Sequence, residues 1–256
     1  MIPDPEGSRF RMELRGRIMV ATPCYTGAVI SACAQSLQTA TILCMANHVI
    51  VDWSVVAGMA MIQYARNWLL ADFLIRRECT HLLWLDDDLA FEPDAVMKLF
   101  DRNLDVVGGV YPTKSEHPTF PYKALGPVVN GLQEVGVLPS GFVLVSRRAV
   151  LAVAERCQWY NYPYGDETRR IPHAFDVALE GDHLVGEDFF FCKRLRDAGF
   201  KLYVETDLGF RHYGRQSWTG NLATTLSSES RSMQQGQGLP EAWRLNAERI
   251  AKGETP

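Results

Sequence analysis

The feature that most constrains the fold of this chain is a short apolar run that ends in three consecutive carboxylates. The run is His81–Leu85, and Asp86, Asp87 and Asp88 follow it directly. Four large apolar residues without alternation predict a strand that is buried on both faces, which is typical of a parallel sheet covered by helices. The three acids then lie at the carboxyl end of that strand, the edge at which open α/β sheets bind ligands. The sequence therefore predicts an α/β fold with a polar site at this edge.

The spacing of the three acids indicates what that site binds. Along extended backbone, Asp86 and Asp88 point to one side and Asp87 points to the other. Two converging carboxylates suit a hard divalent cation that keeps water and phosphate oxygens among its ligands. The alternative is an acidic turn that caps the next helix, but Pro93, with an acid on each side, already supplies that helix start. We therefore expect a metal site at Asp86 and Asp88.

Composition narrows the class of protein. The chain has 256 residues, of which 47% are hydrophobic and 22% charged, and its net charge is -4. That charge argues against a strongly electropositive protein. Six cysteines without a CxxC pair predict reduced, buried thiols, and the longest apolar stretch, 55–75, carries too many polar residues to be a transmembrane segment. The simplest expectation is a soluble, cytoplasmic protein.

Strands and helices alternate along the chain. Strands are predicted at 17–21, 48–51, 81–85, 105–110, 141–146 and 201–204. Helices are predicted at 29–39, 59–77, 94–101, 148–156 and 187–198. A polar lead-in covers 1–16, a long loop covers 158–182, and residues 215–256 form a polar tail or lid with a short helix at 240–252.

Two further segments follow strands that end at the same edge. The turn 21–27 lacks both the GxxxxGK[ST] and the GxGxxG patterns, so neither a P-loop NTPase nor a dinucleotide-binding protein is supported. A nucleotide can still lie across this turn and the acidic run. Asp52 and Trp53 end the second predicted strand, where the carboxylate can bind a nucleobase or ribose and the indole can stack. A turn that caps a helix explains those two residues equally well.

Charged residues in two predicted helices are candidates for the chemistry. Arg66 interrupts an apolar helix face, and a buried guanidinium needs an anion. A diphosphate, one of the carboxylates Asp86 and Asp88, or a solvated salt bridge would each satisfy it. Glu187 and Asp188 begin the helix 187–198, where acids suit the helix dipole. Three phenylalanines follow them, and burial there would raise a carboxyl pKa and suit a general base.

Among the six histidines, His212 is the candidate metal ligand. Neutral imidazole binds Mn²⁺ well, and a glycine-bounded loop after a strand can return this residue to the active edge. A lone histidine is more often structural, which is the alternative here.

In order and spacing, these segments resemble the GT-A fold glycosyltransferases, especially the family-2-like group that uses a nucleotide-sugar donor. The resemblance is carried by Thr22-Pro23-Cys24-Tyr25, Asp52-Trp53-Ser54, Ala65-Arg66-Asn67, Trp84-Leu85-Asp86-Asp87-Asp88, Gly186-Glu187-Asp188 and His212. It implies a Rossmann-like α/β/α sandwich with a mostly parallel central sheet. It also implies one catalytic domain over 17–214, with a nucleotide-sugar half at about 17–112 and an acceptor half at about 113–214.

The resemblance further implies roles for single residues. Asp86 and Asp88 would form a DxD element that holds Mn²⁺ or Mg²⁺, with His212 completing the metal shell. Asp188, with Glu187 beside it, would be the base of an inverting transfer to an acceptor hydroxyl. The residues implied to contact the donor, for which a UDP-sugar is the main expectation, are Thr22, Pro23, Tyr25, Asp52, Arg66, Asp86 and Asp87.

Other functions make different demands on the sequence. A sugar nucleotidyltransferase would carry a Gly- and Arg-rich first turn followed by Lys, which 21–27 lacks. A non-catalytic nucleotide-sugar binding protein would bind the donor without turnover. Basic residues interleaved with aromatics between Arg147 and Arg215 are compatible with a polyanion such as nucleic acid, and a solvated loop of mixed charge is the alternative. The resemblance implies that the acceptor is either a glycan or a hydroxymethylated base in phage-type DNA.

Overall fold

The computed structural model describes residues 13–227 of the chain. Its helices are α1 (Ser31–Ala46), α2 (Ile62–Ile75), α3 (Ala95–Asp101), α4 (Arg147–Arg156) and α5 (Glu187–Asp197). Its strands are β1 (Gly16–Cys24), β2 (Val49–Ala57), β3 (His81–Leu85), β4 (Leu89–Phe91), β5 (Val106–Gly108), β6 (Lys123–Val129), β7 (Leu132–Val137), β8 (Phe142–Ser146), β9 (Trp159–Tyr164), β10 (Glu167–Pro172), β11 (Ala178–Glu180), β12 (His183–Val185), β13 (Leu202–Glu205), β14 (Gly209–Tyr213) and β15 (Ser217–Asn221).

Eight strands form the central sheet, in the order β2-β1-β3-β8-β5-β13-β7-β6. The pairs β1–β2, β1–β3 and β5–β13 are parallel, whereas β8 and β7 run antiparallel to both of their neighbours. Every strand except β8 and β7 therefore points the same way. The predicted α/β class with a mostly parallel central sheet is confirmed.

The apolar run of β3 explains why helices cover both faces of this sheet. Leu82 and Trp84 belong to the core that α2, α4 and α5 cover, while Leu83 and Leu85 belong to the core under α1 and α3. All four side chains are fully buried. Since burying such a side chain stabilises a fold by about 1.5–3 kcal/mol, a register shift of this strand would be costly. The acids that follow are thereby held at the sheet edge.

The second strand is longer than predicted, and this changes the place of Asp52. β2 continues through Val55 and Val56 to Ala57, because β-branched residues suit extended backbone. Asp52 lies opposite Met19 in the β1–β2 register, five residues before the end of the strand. At about 3.3 Å per residue, it lies roughly 16 Å below the edge. The prediction that the second strand ends at Asp52 is therefore wrong, and the alternative of a helix-capping turn there is wrong as well.

The predicted loop at 158–182 is also wrong, since it contains the antiparallel hairpin β9–β10 and strand β11. Hairpins β6–β7, β9–β10 and β11–β12 each turn through two residues that include a glycine at positive φ: Gly131, Gly165 and Gly181. Such loops are the usual connection of tight hairpins. The dipeptides Asn130-Gly131, Gly165-Asp166 and Gly181-Asp182 were the signal for them.

A small second sheet, in the order β15-β14-β4, covers the region after the acidic run. Strand β15 lies within the segment predicted to be a polar tail, and its pairing with β14 makes that part of the tail ordered structure. The helix predicted at 240–252 lies outside the described residues. Within residues 13–227, the helices are too short or too polar to cross a membrane.

Candidate active site

The small second sheet brings His212 to the acidic run. The chain turns after Leu85 and returns as β4, and β14 pairs antiparallel with β4 so that His212 lies opposite Leu89. The backbone N–H of Tyr213 also donates to the carbonyl of Asp88, at 2.9 Å. More than 120 residues therefore separate two groups that the fold places side by side.

Asp88 interacts with both an imidazole and an ammonium group. His212 Nε2 lies 3.4 Å from Asp88 Oδ1, and its Nδ1 lies 2.8 Å from the carbonyl of Pro112. Because a carbonyl can only accept, Nδ1 carries the proton, and in the neutral ring the Nε2 lone pair faces Asp88. The ammonium of Lys114 forms an ion pair with Asp88 Oδ2. Burial raises the pKa of Asp88, but the electrostatic effect of His212 and Lys114 outweighs it, so that the pKa falls below its ordinary value.

Arg66 is fully buried and faces three carboxylates. Its Nη1 donates to the carbonyl of Ser140 at 2.8 Å, and its Nη2 donates to Asp86 Oδ1 at 3.1 Å. Glu187 Oε1 lies 3.8 Å from Nε, and Asp188 Oδ1 lies 3.8 Å from Nη2. A diphosphate, a carboxylate of the acidic run or a solvated salt bridge was expected to satisfy this guanidinium, and in the structure its partner from the acidic run is Asp86. One positive charge then serves three acids, which leaves the group negative.

Asp188 carries the most informative pKa shift of this group. Burial is the largest cause, the charge of Glu187 adds to it, and Arg66 opposes both, with the result that the pKa of Asp188 rises to about 6. Its Oδ2 accepts from the backbone N–H of Ser140 at 3.3 Å, whereas its buried Oδ1 has no hydrogen-bond partner in the described part of the chain. Such a carboxylate is ionised at neutral pH and binds a proton more strongly than an ordinary aspartate.

Tyr111 and Gly141 hold Asp86, and sequence reasoning missed both. Tyr111 donates its hydroxyl to Asp86 Oδ2 at 3.2 Å. A Cβ atom at position 141 would overlap Tyr111 Oη and Asp86 Oδ2, so only glycine allows this approach. Burial raises the pKa of Asp86, and the charge of Arg66 offsets part of that rise. Both carboxylate oxygens of Asp86 therefore have protein partners.

The residues predicted to contact the nucleotide do not all reach the edge. Thr22 is fully buried and accepts a hydrogen bond from Trp53 Nε1 at 2.9 Å. Asp52 forms a two-point ion pair with Arg17, at 2.5 Å to Nε and 3.2 Å to Nη2. Because both side chains are occupied by protein partners, the structure does not support contacts from Thr22 or Asp52.

Three other predicted residues do lie at the edge. Pro23 is half-buried, and Tyr25 is 64% exposed in the turn that follows β1. Asp87 is half-buried beside Cys24, and burial raises the pKa of its carboxyl. These positions can contact a ligand that lies across the ends of β1 and β3.

The likeness of this chain to known proteins lies in its fold. No protein-family model matches it, and no curated protein does either. Among solved structures, A197 from STIV matches with a TM-score of 0.51 at 17% identity, over 77% of this chain and 86% of that one. GalNAc-T7 with UDP, GalNAc and Mn²⁺ matches with a TM-score of 0.43 at 9% identity, over 74% of this chain and 42% of that one. A glycosyltransferase involved in the glycosylation of the major capsid of PBCV-1 matches with a TM-score of 0.33 at 12% identity, over 52% and 62%.

The fold that this chain shares with A197 from STIV agrees with the GT-A fold that the resemblance implied. Likeness at such low identity shows a shared fold alone, and the two matches with TM-scores below 0.5 carry no weight for the function.

The predicted metal ligands of this GT-A fold are brought together only in part. Residues 86–88 lie in a turn between β3 and β4, so the alternation expected of extended backbone does not apply. Asp86 turns to Arg66 and Tyr111, while Asp88 turns to His212. Within residues 13–227, no three His, Cys, Asp or Glu side chains are grouped to hold a metal ion.

Asp88 and His212 nevertheless fit a divalent cation as a pair of ligands. Two acceptor atoms that face each other at 3.4 Å attract a positive charge. One carboxylate and one imidazole suit Mn²⁺, and its remaining ligands would be water and phosphate oxygens.

Proposed function

We propose that this protein is a glycosyltransferase that moves a sugar from a nucleoside-diphosphate sugar, with a UDP-sugar as the main expectation, to an acceptor hydroxyl. The observation that supports it best is the joint position of the proton acceptor and the candidate cation site. Arg66 bonds Asp86 at 3.1 Å and lies 3.8 Å from Asp188, so a base with a raised pKa adjoins the acidic run. A transferase of this kind needs both at one edge.

The donor would be bound at the carboxyl ends of β1 and β3. Asp88 and His212 would hold Mn²⁺ or Mg²⁺, which when bound neutralises charge on the departing diphosphate. Pro23, Tyr25 and Asp87 would line the nucleoside side of the site. Tyr111 and Arg66 would keep Asp86 in place, so that the edge is preorganised before the donor arrives.

Asp188 would be the base of an inverting transfer. The acceptor hydroxyl loses its proton to the carboxylate of Asp188, its oxygen forms the new bond to the anomeric carbon, and the bond from that carbon to the diphosphate oxygen breaks. The leaving nucleoside diphosphate keeps the electron pair of that bond. A single displacement of this kind inverts the configuration at the anomeric carbon. Glu187 supports the step indirectly, because its charge raises the pKa of Asp188.

The acceptor we propose is a glycan rather than DNA. Several of the basic residues considered for a polyanion are already engaged: Arg147 donates to the carbonyls of Phe73, Arg76 and Cys79, and Arg148 pairs with Asp105. Arg169 lies over the ring of Trp68. Protein groups engage these three side chains, which makes them less available to phosphates, whereas Arg170, Arg211 and Arg215 are exposed.

Calorimetric titration with a panel of UDP-, GDP- and other nucleotide-sugars, each with Mn²⁺ and with a chelator, tests the donor. We expect one sugar nucleotide to bind only with metal and to be hydrolysed slowly, since water can replace the missing acceptor. Binding without any turnover, even with glycans and hydroxymethylated DNA present, would favour a non-catalytic binding protein. No binding by the folded protein would reject the proposal, and transfer to DNA alone would reject the glycan acceptor.

A further inference from the structure

The carboxylate of Asp88 already has an internal cation. The ammonium of Lys114 pairs with Asp88 Oδ2, while His212 Nε2 faces Asp88 Oδ1. The side chains of Asp88 and Lys114 are 24% and 34% exposed. The ion pair is therefore partly buried, but a ligand can reach it from solvent. The positive charge that the Asp88–His212 pair attracts is thus supplied by the chain itself.

The position of Lys114 is built into the fold rather than left to a free side chain. The loop 113–119 is closed by a hydrogen bond from the Thr113 N–H to the Thr119 carbonyl, at 2.8 Å. Trp218 Nε1 donates to the carbonyl of Ser115 at 2.7 Å, which ties the residue next to Lys114 to strand β15. A Cβ atom on Gly214 would lie 3.3 Å from Lys114 Cδ, so glycine at this position leaves room for the lysine stem.

We propose that Lys114 and a divalent cation exclude one another at Asp88, so that the metal binds once an anionic donor draws the ammonium away. Two cations that share one partly buried carboxylate repel each other even when they contact different oxygens, so the ammonium at Oδ2 weakens the attraction of a metal to Oδ1. A diphosphate offers the displaced ammonium a new partner. Metal and donor then bind synergistically, and thermodynamic linkage requires each to strengthen the binding of the other by the same factor.

This inference concerns the regulation of the site described under the proposed function, and only its donor part rests on that proposal. The metal part is tested without any donor, by titrating the protein with Mn²⁺ and measuring free Mn²⁺ by electron paramagnetic resonance. We expect weak binding to the wild type and binding at least about tenfold tighter to Lys114→Met, because a contacting positive charge is removed. Lys201→Met is the matched control, since it removes another lysine from an ion pair, the exposed one with Glu134.

Two further variants place the effect at this site. Lys114→Arg keeps the ion pair, so its Mn²⁺ affinity should stay close to that of the wild type. Asp88→Asn in the Lys114→Met background should lose the gain, because the carboxylate that binds the metal is gone. With UDP present, the wild type should gain more Mn²⁺ affinity than Lys114→Met does, since only the wild type has an ammonium to displace.

The result that overturns the inference is an equal Mn²⁺ affinity in the wild type and in Lys114→Met, with both proteins folded by thermal denaturation. A gain that Lys201→Met shares would also overturn it, as an effect of net charge alone. The proposed function fails separately, if no nucleotide-sugar binds or turns over while the Mn²⁺ results stand as expected.

Discussion

Arg66 and Arg102 both pair with buried or half-buried carboxylates, and these two regions of the molecule differ in how completely the charges are matched. At the carboxyl edge, Arg66 faces Asp86, Glu187 and Asp188, and two of the polar atoms, Arg66 Nε and Asp188 Oδ1, make no hydrogen bond among the described residues. At the second region, Glu205 is the one carboxylate that pairs with Arg102 within residues 13–227. Arg102 Nε and Nη2 lie 2.6 and 2.5 Å from Glu205 Oε2.

Under the proposed function, this difference separates a group that takes part in the chemistry from one that serves stability. Glu205 is almost fully buried, and its other oxygen accepts from the backbone N–H of Asp207 at 3.3 Å, so its charge is fully satisfied. The Arg66 group keeps an unpaired carboxylate oxygen and a raised carboxyl pKa, both of which cost stability. Folds retain such unsatisfied groups mainly at functional sites.

The largest expected effect is the loss of transfer in Asp188→Asn. The amide cannot accept the acceptor proton, and general base catalysis contributes about 10²–10⁴-fold to a rate. Metal-dependent donor binding, measured by calorimetry, should be close to that of the wild type. Asp197→Asn, an exposed acid at the other end of the same helix, is the matched control and should keep full activity. A rate in Asp188→Asn like that of the control would remove Asp188 from the role of base.

The second region should respond in the opposite way. Glu205→Ala removes the carboxylate that satisfies Arg102, and we expect the free energy of unfolding to fall by about 2–3 kcal/mol. Urea denaturation measures this loss, and transfer activity per folded molecule should be unchanged. Glu134→Ala breaks an exposed ion pair with Lys201 and should cost far less stability, because solvent screens that pair. Equal losses in the two variants would contradict the contrast drawn between buried and exposed pairs.

Activity should depend on pH through Asp188. The carboxyl must be ionised to accept a proton, and its pKa is about 6, so the transfer rate should fall about tenfold per unit as pH drops below 6. A rate profile from pH 4.5 to 8 at saturating donor measures this dependence. If the rate still holds its plateau at pH 5, the pKa that governs transfer is not that of Asp188.

The smallest effect is a gain in stability when the charge of Asp188 is removed. The folded-state pKa of about 6 lies above the ordinary 3.8, so the native state binds more protons than the unfolded state between these values, and stability falls as pH rises through this window. Asp188→Asn should then be more stable than the wild type by only about 1 kcal/mol at pH 8, because solvent at the partly exposed Asp188 carboxylate screens part of the unfavourable charge. The gain should vanish below about pH 4. A loss of stability at pH 8 would show that Arg66 depends on Asp188 as its partner.

Residues close together in the chain were predictable because local rules place them. The apolar run before Asp86 sets the strand and its edge, and the acids at 187 and 188 begin α5 as expected. The position of Asp52 was predicted wrongly because the end of a strand depends on its pairing with the neighbouring strand. The valines after Asp52 continue the pairing of β2 with β1. The alternation rule failed at 86–88 because the chain turns there.

Residues that act across the fold were not predictable in the same way. Lys114 and Tyr111 have no local pattern that points to a site, and each matters only because of what the fold places against it. Gly141, in the segment just before β8, is the one with a detectable signal, since glycine before a buried strand is a candidate for close approach.

The sequence by itself determined that this chain builds a mostly parallel sheet with carboxylates at one edge, because strand burial and helix starts depend on neighbouring residues. Only the tertiary structure decided which cation each carboxylate meets. Arg66 pairs with Asp86 and Lys114 pairs with Asp88, whereas Asp188 Oδ1 has no hydrogen-bond partner among the described residues. Those pairings depend on contacts between residues that lie 20 or more positions apart. The order of charged residues along the chain does not show these contacts, because they form only when the chain folds.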